Sequence, residues 1–174
     1  MLNRSKFIVL VCISIFAQIS NVKAENTELA KATEKLNTLV LYTPKYVKIP
    51  YPNGDVDERT GVCTDVVIRA YRELGIDLQQ LVHEDMKKNF KLYPKNWGLT
   101  RTDTNIDHRR VPNLQVFFSR FGKLKKITKN PADYETGDIV TWKLSNGAPH
   151  IGIILEEKSK NGTPLVFHNI VWTN

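Results

Sequence analysis

The sequence is short of cysteine, of blocks of like charge and of long apolar runs, and each shortage excludes something. Its 174 residues carry two cysteines, Cys12 and Cys63. Cys12 falls within "MLNRSKFIVLVCISIFAQISNVKA", which reads as a secretory signal peptide. Arg4 and Lys6 give it a positive start, Phe7 to Phe16 an apolar run, and Val22-Lys23-Ala24 an approach to a cut after Ala24. The run is too short to favour a spanning helix. The expected location is therefore periplasmic or secreted, and Cys12 should leave with the peptide. An exported domain held by disulfides would keep an even set of cysteines, whereas this one keeps a single thiol. No later segment is apolar enough to cross a bilayer, so stable membrane insertion after cleavage is not expected. No block of like charge argues for nucleic acid. There is no internal repeat and no low-complexity segment.

What remains after Ala24 is 150 residues, enough for one domain with a core. With Arg4, Lys6 and Lys23 removed from the 25 Lys and Arg, and 18 Asp and Glu retained, the net charge is about +4. That modest excess suits an anionic polymer and equally an ordinary soluble surface. Residues 25–41 read as a lead-in helix, with Leu29, Ala32, Leu36 and Val40 at helical spacing. The domain proper is expected over 42–174, beginning with the extended, turn-rich "LYTPKYVKIPYPNGDVDERTG". From Cys63 a helix follows, with Val66, Val67, Ala70, Tyr71 and Leu74 on one face and Gly75 closing it. Asp77 with Gln80 resembles a capping box for a second helix carrying Leu78, Leu81, Val82 and Met86 inward. After a polar loop, Pro112 starts a third helix with Leu114, Phe117, Phe118 and Phe121 on its buried face. "GDIVTWKL", "HIGIILEE" and "PLVFHNIVW" then read as an antiparallel meander. Helices first and strands later indicate an α+β class, with N-terminal helices packed on a C-terminal antiparallel sheet.

Cys63 has three readings: an inert buried residue, an intermolecular bridge, or a nucleophile. Its place in the first turn of a helix favours a thiolate there, through unpaired N–H groups and the helix dipole. His150 opens a strand directly after a turn, and alternation puts His150, Gly152 and Ile154 on one face. His168, on the next strand, could orient the His150 ring. Alternation separates Val166, His168 and Ile170 from Phe167, Asn169 and Val171, so only one of His168 and Asn169 can look at His150. Asp65, also near the helix start, is favoured there by the dipole alone. With four histidines in the chain, such an order is suggestive and no more.

The motifs "CTDVVIRAYRELGI", "GDIVTW", "HIGIIL" and "LVFHN", in that order, resemble the papain-like cell-wall peptidases and amidases of the NlpC class. More narrowly, "YPNGDV", "GVCTDVVIRAYRELGIDLQ", "VHEDM", "NIDHRRVPNL" and "HIGI" are similar to family 1287 of the domains of unknown function, over roughly residues 42 to 170. The resemblance implies a papain-like fold, with Cys63 as nucleophile, His150 as general base and His168 as orienter. It also implies an amide bond in peptidoglycan peptide as substrate, and no cofactor. Two departures stand out. The peptidase motif has Asp before and Ser after the cysteine, where this chain has Val62 and Thr64. Relatives usually continue for another strand or two, whereas this chain ends at Asn174, so a shortened copy is expected.

The loop "TDTNIDHRRVPNL" supplies the candidate substrate-binding residues Asp103, Asn105, Asp107, His108, Arg109 and Arg110. Arg109 and Arg110 could clamp carboxylates of a stem peptide bidentately. The competing reading is a loop pinned by its own polar side chains. A metal site from Asp103, Asp107 and His108 is a weaker reading, and none is expected. His83 reads as a solvated or capping histidine. The leading expectation is an exported cysteine hydrolase acting on peptidoglycan or its fragments. Its rivals are an acyltransferase or thioesterase of the same fold and a non-catalytic wall-binding module.

Overall fold

The computed structural model describes residues 26–170. Residues 1–25, on which the expected signal peptide falls, and residues 171–174 lie outside them. Among the described residues the fold is mixed α+β, with four α-helices and five strands in two small sheets. Helix α1 covers residues 26–34 and ends earlier than the apolar spacing of 25–41 suggests. The side chain of Asn37 accepts the Leu39 N–H and turns the chain. Leu29 and Leu36 still pack on the main core. Strand β1 (Leu41–Tyr42) pairs in parallel with β2 (Thr60–Gly61). Helices α2 (Cys63–Glu73), α3 (Leu78–Lys88) and α4 (Val111–Phe121) follow. Strands β3 (Ile139–Lys143), β4 (Pro149–Lys158) and β5 (Pro164–Phe167) form an antiparallel sheet in the order β3-β4-β5. Among the described residues no helix is long and apolar enough to cross a membrane.

Each helix closes for a local reason. Gly75, at φ +76, ends α2 in a Schellman arrangement, its N–H bonding to Arg72 and that of Ile76 to Tyr71. Asp77 caps α3 by accepting the Gln79 N–H. Gln80 takes no part in that cap and donates instead to Glu84, so the capping box is only half formed. The β-turns carry Gly147 and Gly162 in the left-handed region, at the tips of the two hairpins.

The core gathers Val67, Ala70, Leu78, Val82, Leu114, Ile151 and Ile153 around α2 and the central strand β4. Its helical stripes are narrower than periodicity predicts. Leu74, Leu81 and Phe121 were expected inward and stand 36 %, 44 % and 63 % exposed. Polar side chains take interior places instead. Gln79 is fully buried, accepting the Gly54 N–H and donating to the carbonyls of Pro50 and Thr104. Asp85 is held by the Arg120 guanidinium and the Tyr93 hydroxyl.

Strand β5 approaches β4 most closely at Gly152. A Cβ there would lie 2.6 Å from Val166 Cγ1 and 2.8 Å from the Phe167 carbonyl oxygen. Gly152→Ala should therefore force the strands apart, at a cost of about 1–3 kcal/mol for overpacking. A thermal melt checks this, and an unchanged midpoint would show that β5 gives way freely.

Candidate functional site

Cys63 opens α2 with Val62 as its N-cap, a residue whose side chain accepts nothing. The missing cap is supplied from inside the helix, where Asp65 Oδ2 accepts the Val62 N–H at 2.7 Å. Asp65 also receives Arg109 through Nε and Nη2, both at 2.8 Å, and both side chains are 3 % exposed. The fully buried Thr64 hydroxyl donates to the Arg109 carbonyl at 3.0 Å. The first turn of α2 is thus bolted to the 3₁₀ turn Asp107–Arg109.

The sheet brings the imidazoles together. His150 is buried at the start of β4, and its Nε2 lies 3.1 Å from Nδ1 of His168. His168 falls one residue past the end of β5 and is exposed. Asn169 looks elsewhere, donating its amide to the Gly61 carbonyl at 3.3 Å. That contact seats the end of β5 two residues before Cys63. On the other side, the backbone amide of Ile151, next to His150, bears on the Cys63 thiol. The two imidazoles therefore meet, and the strand that carries His150 also reaches Cys63 through the Ile151 amide, although no hydrogen bond joins Cys63 to either imidazole.

Burial, not the helix dipole, sets the charge states. It pushes the Cys63 thiol up, against the backbone amides of Ile151 and Thr64, which pull it down. The expected thiolate is thereby corrected. Loss of water around the sulfur outweighs the helix start, and the charge of Asp65 acts in the same direction as burial. Burial, with the neighbouring His168, lowers His150 to about 4, and burial lowers His168 as well. At neutral pH the thiol and both rings are uncharged.

Two neighbours escaped sequence reasoning. Tyr42 in β1 is half-buried, and its phenol is pushed up by burial first and then by Cys63 and Asp65. Trp142 stands opposite His150 across β3–β4 and packs on both imidazoles. Tyr42 gave no signal in the sequence. Trp142 could have been found by pairing "GDIVTW" with "HIGI" in antiparallel register.

The polar loop is largely turned inward. Asp103 accepts from Asn105 and from the Tyr46 hydroxyl. Burial pushes its carboxyl up, but these hydrogen bonds prevail and hold it below the usual range. Asn105 accepts the Ile49 N–H. Asp107 is fully buried, accepts the Asp103 N–H, and is pushed by burial up to about 6. His83 is mostly buried rather than solvated, its Nδ1 3.7 Å from Asp107 Oδ2 and its ring against Tyr51. His108 is buried, and burial lowers it to about 4. Arg109 has its guanidinium filled by Asp65, which corrects the expected substrate clamp: a buried donor fork already satisfied by a carboxylate has nothing to offer a second one. Arg110 is half-buried, its guanidinium stacked 4.3 Å from the exposed Trp97 ring, and the Asp103 carboxylate is also partly open. Among the described residues no group of three or more His, Cys, Asp or Glu side chains could hold a metal ion.

A mixed α+β domain with a cysteine at a helix start and two histidines at neighbouring strand ends is the class of protein these features define. Comparison with known sequences carries it further. The family described as a domain of unknown function, number 1287, matches residues 29–174, and the chain belongs to that family. It is 54 % identical over 148 residues to the uncharacterised protein YijF of Escherichia coli strain K12, covering 83 % of this chain and 72 % of that one. No solved structure matches the chain.

Replacing Arg109 by Ala should cost about 3–5 kcal/mol, because it strands the Asp65 carboxylate in the interior. Urea unfolding measures this. Parental stability in Arg109→Ala would return the guanidinium to a substrate role.

Proposed function

We propose that this chain is an exported cysteine hydrolase of papain-like fold that cuts an amide bond in peptidoglycan peptide. The observation that carries it is the imidazole pair, His150 Nε2 3.1 Å from His168 Nδ1, on a strand whose Ile151 amide bears on the Cys63 thiol at the start of α2. The engaged nitrogen of His150 is Nε2, which leaves Nδ1 for the thiol. For Nδ1 to accept a proton, Nε2 must carry one and donate it to Nδ1 of His168. His168 then holds the tautomer without touching substrate. Export is supported by the N-terminal residue pattern, and wall peptide by the motif resemblance.

Because the thiol and imidazole rest uncharged, His150 acts as a general base during attack. The sulfur adds to the carbonyl carbon as Nδ1 takes the thiol proton. Backbone N–H groups at the start of α2 bond the tetrahedral oxyanion. The imidazolium returns the proton to the leaving amine, giving a thioester that water hydrolyses with His150 again as base. No protein group changes oxidation state.

A second reading, a non-catalytic wall-binding module, is favoured by one observation: Cys63 is only 4 % exposed, with a thiol raised by burial. Digestion of purified sacculi separates the two. In the hydrolase, Cys63→Ser abolishes fragment release, His150→Ala lowers it by about 10²–10⁴-fold, and His168→Ala leaves measurable activity. A parent protein that pellets with sacculi but releases no fragment is the module.

The charge states give a separate test. Alkylation of Cys63 by iodoacetamide should rise about tenfold per pH unit from pH 6 to 9, since the reactive thiolate is a minor species throughout. A rate that is flat across that range would mean a preformed thiolate–imidazolium pair.

A further inference from the structure

Trp142, His150 and His168 form a cluster of three rings that the hydrolase scheme does not use in full. Strands β3 and β5 lie on opposite sides of β4. The indole nevertheless touches both imidazoles, because it reaches over His150 from its register partner position on β3. The Trp142–His150 centroids are 4.7 Å apart at 60°, and the Trp142–His168 centroids 5.4 Å apart at 88°. The imidazoles themselves meet edge-on, 5.1 Å apart at 86°. These distances and tilts fall in the range that aromatic quadrupoles favour, with the edge of one ring on the face of another.

The cluster answers a question that the hydrogen bond alone leaves open. A single contact of 3.1 Å between His150 Nε2 and His168 Nδ1 does not stop either ring from flipping about its Cβ–Cγ bond. A flip of His150 would exchange Nδ1 with Cδ2 and Nε2 with Cε1, presenting carbon where each nitrogen stood. Packing on both ring systems resists that flip. The half-buried indole also packs on the buried His150 and the exposed His168 at once.

We propose that Trp142 is a positioning residue for the imidazole pair, holding His150 with Nε2 on His168 and Nδ1 free to take a proton. The chemical use of that free nitrogen rests on the hydrolase reading; the ring geometry does not. His168 is the titratable group that acts on His150, and it acts alongside burial. The indole contributes by excluding water and fixing ring planes, not by charge.

The test is ¹⁵N NMR of the imidazole nitrogens in the full chain, which reports tautomer and titration midpoint without requiring turnover. In the parent, His150 should be protonated at Nε2 alone near neutral pH. Trp142→Phe keeps an aromatic edge and should preserve that state. Trp142→Leu keeps apolar cover without a ring quadrupole. It should mix the two tautomers and raise the His150 midpoint by one pH unit or more. A folded Trp142→Leu protein with the parental tautomer and midpoint overturns the proposal, as does a Trp142→Phe protein as disturbed as the leucine variant. If sacculi are never cleaved, the hydrolase reading falls while these shifts still decide the role of Trp142.

Discussion

The ion pair between Asp65 and Arg109 ties together two segments 44 residues apart and determines where the start of α2 can sit. Both groups are almost fully buried, so neither can be left alone at tolerable cost. Asp65 spends one oxygen twice, on Arg109 and on the backbone N–H of Val62. A helix that begins with the apolar Val62 thereby gains a cap. Thr64 adds a third fastening through the Arg109 carbonyl. The loop beyond is pinned in turn by Asp103, Asn105 and Tyr46. The position of Cys63 is consequently a property of the loop as much as of its own helix.

The same burial that secures this arrangement opposes ionisation within it. A helix start offers oriented N–H groups worth a fraction of a kcal/mol to about 2 kcal/mol. Removing a thiolate from water costs more than that when no cation stands nearby. Here the Arg109 guanidinium is already paired with Asp65, and burial holds His150 neutral too. Lowered together, the two imidazoles keep one hydrogen bond and one free nitrogen, a state suited to accepting a proton during a reaction and unsuited to storing charge before it. Gly152 belongs to this design, because only a residue without Cβ lets β5 come close enough for His168 to reach His150.

Local signals in the sequence reported local structure well. The helix from Cys63 to its closure at Gly75, the glycine turns of both hairpins and the antiparallel order of the last three strands follow from spacing and turn chemistry. Alternation left His168 and Asn169 as alternatives for facing His150, and only the motif resemblance selected His168, whose Nδ1 lies 3.1 Å from His150 Nε2. Leu74, Leu81 and Phe121 failed because periodicity marks which face of a helix is apolar, while burial depends on what comes to cover it. The helices present wider stripes than their neighbours occupy.

Sequence by itself determined the α+β class, the family, and the candidates Cys63, His150 and His168, because these depend on composition, short spacings and motif order. Tertiary structure decided their state. Arg109 could clamp a ligand or an internal carboxylate, and only packing against α2 gave it to Asp65. Cys63 could be ionised or neutral, and only the depth of its burial against β4 made it neutral. Tyr42 and Trp142 entered the site through strand pairing across 19 and 8 residues of chain, respectively. Charge state and proximity are sums over neighbours distant in sequence, and no local pattern carries them.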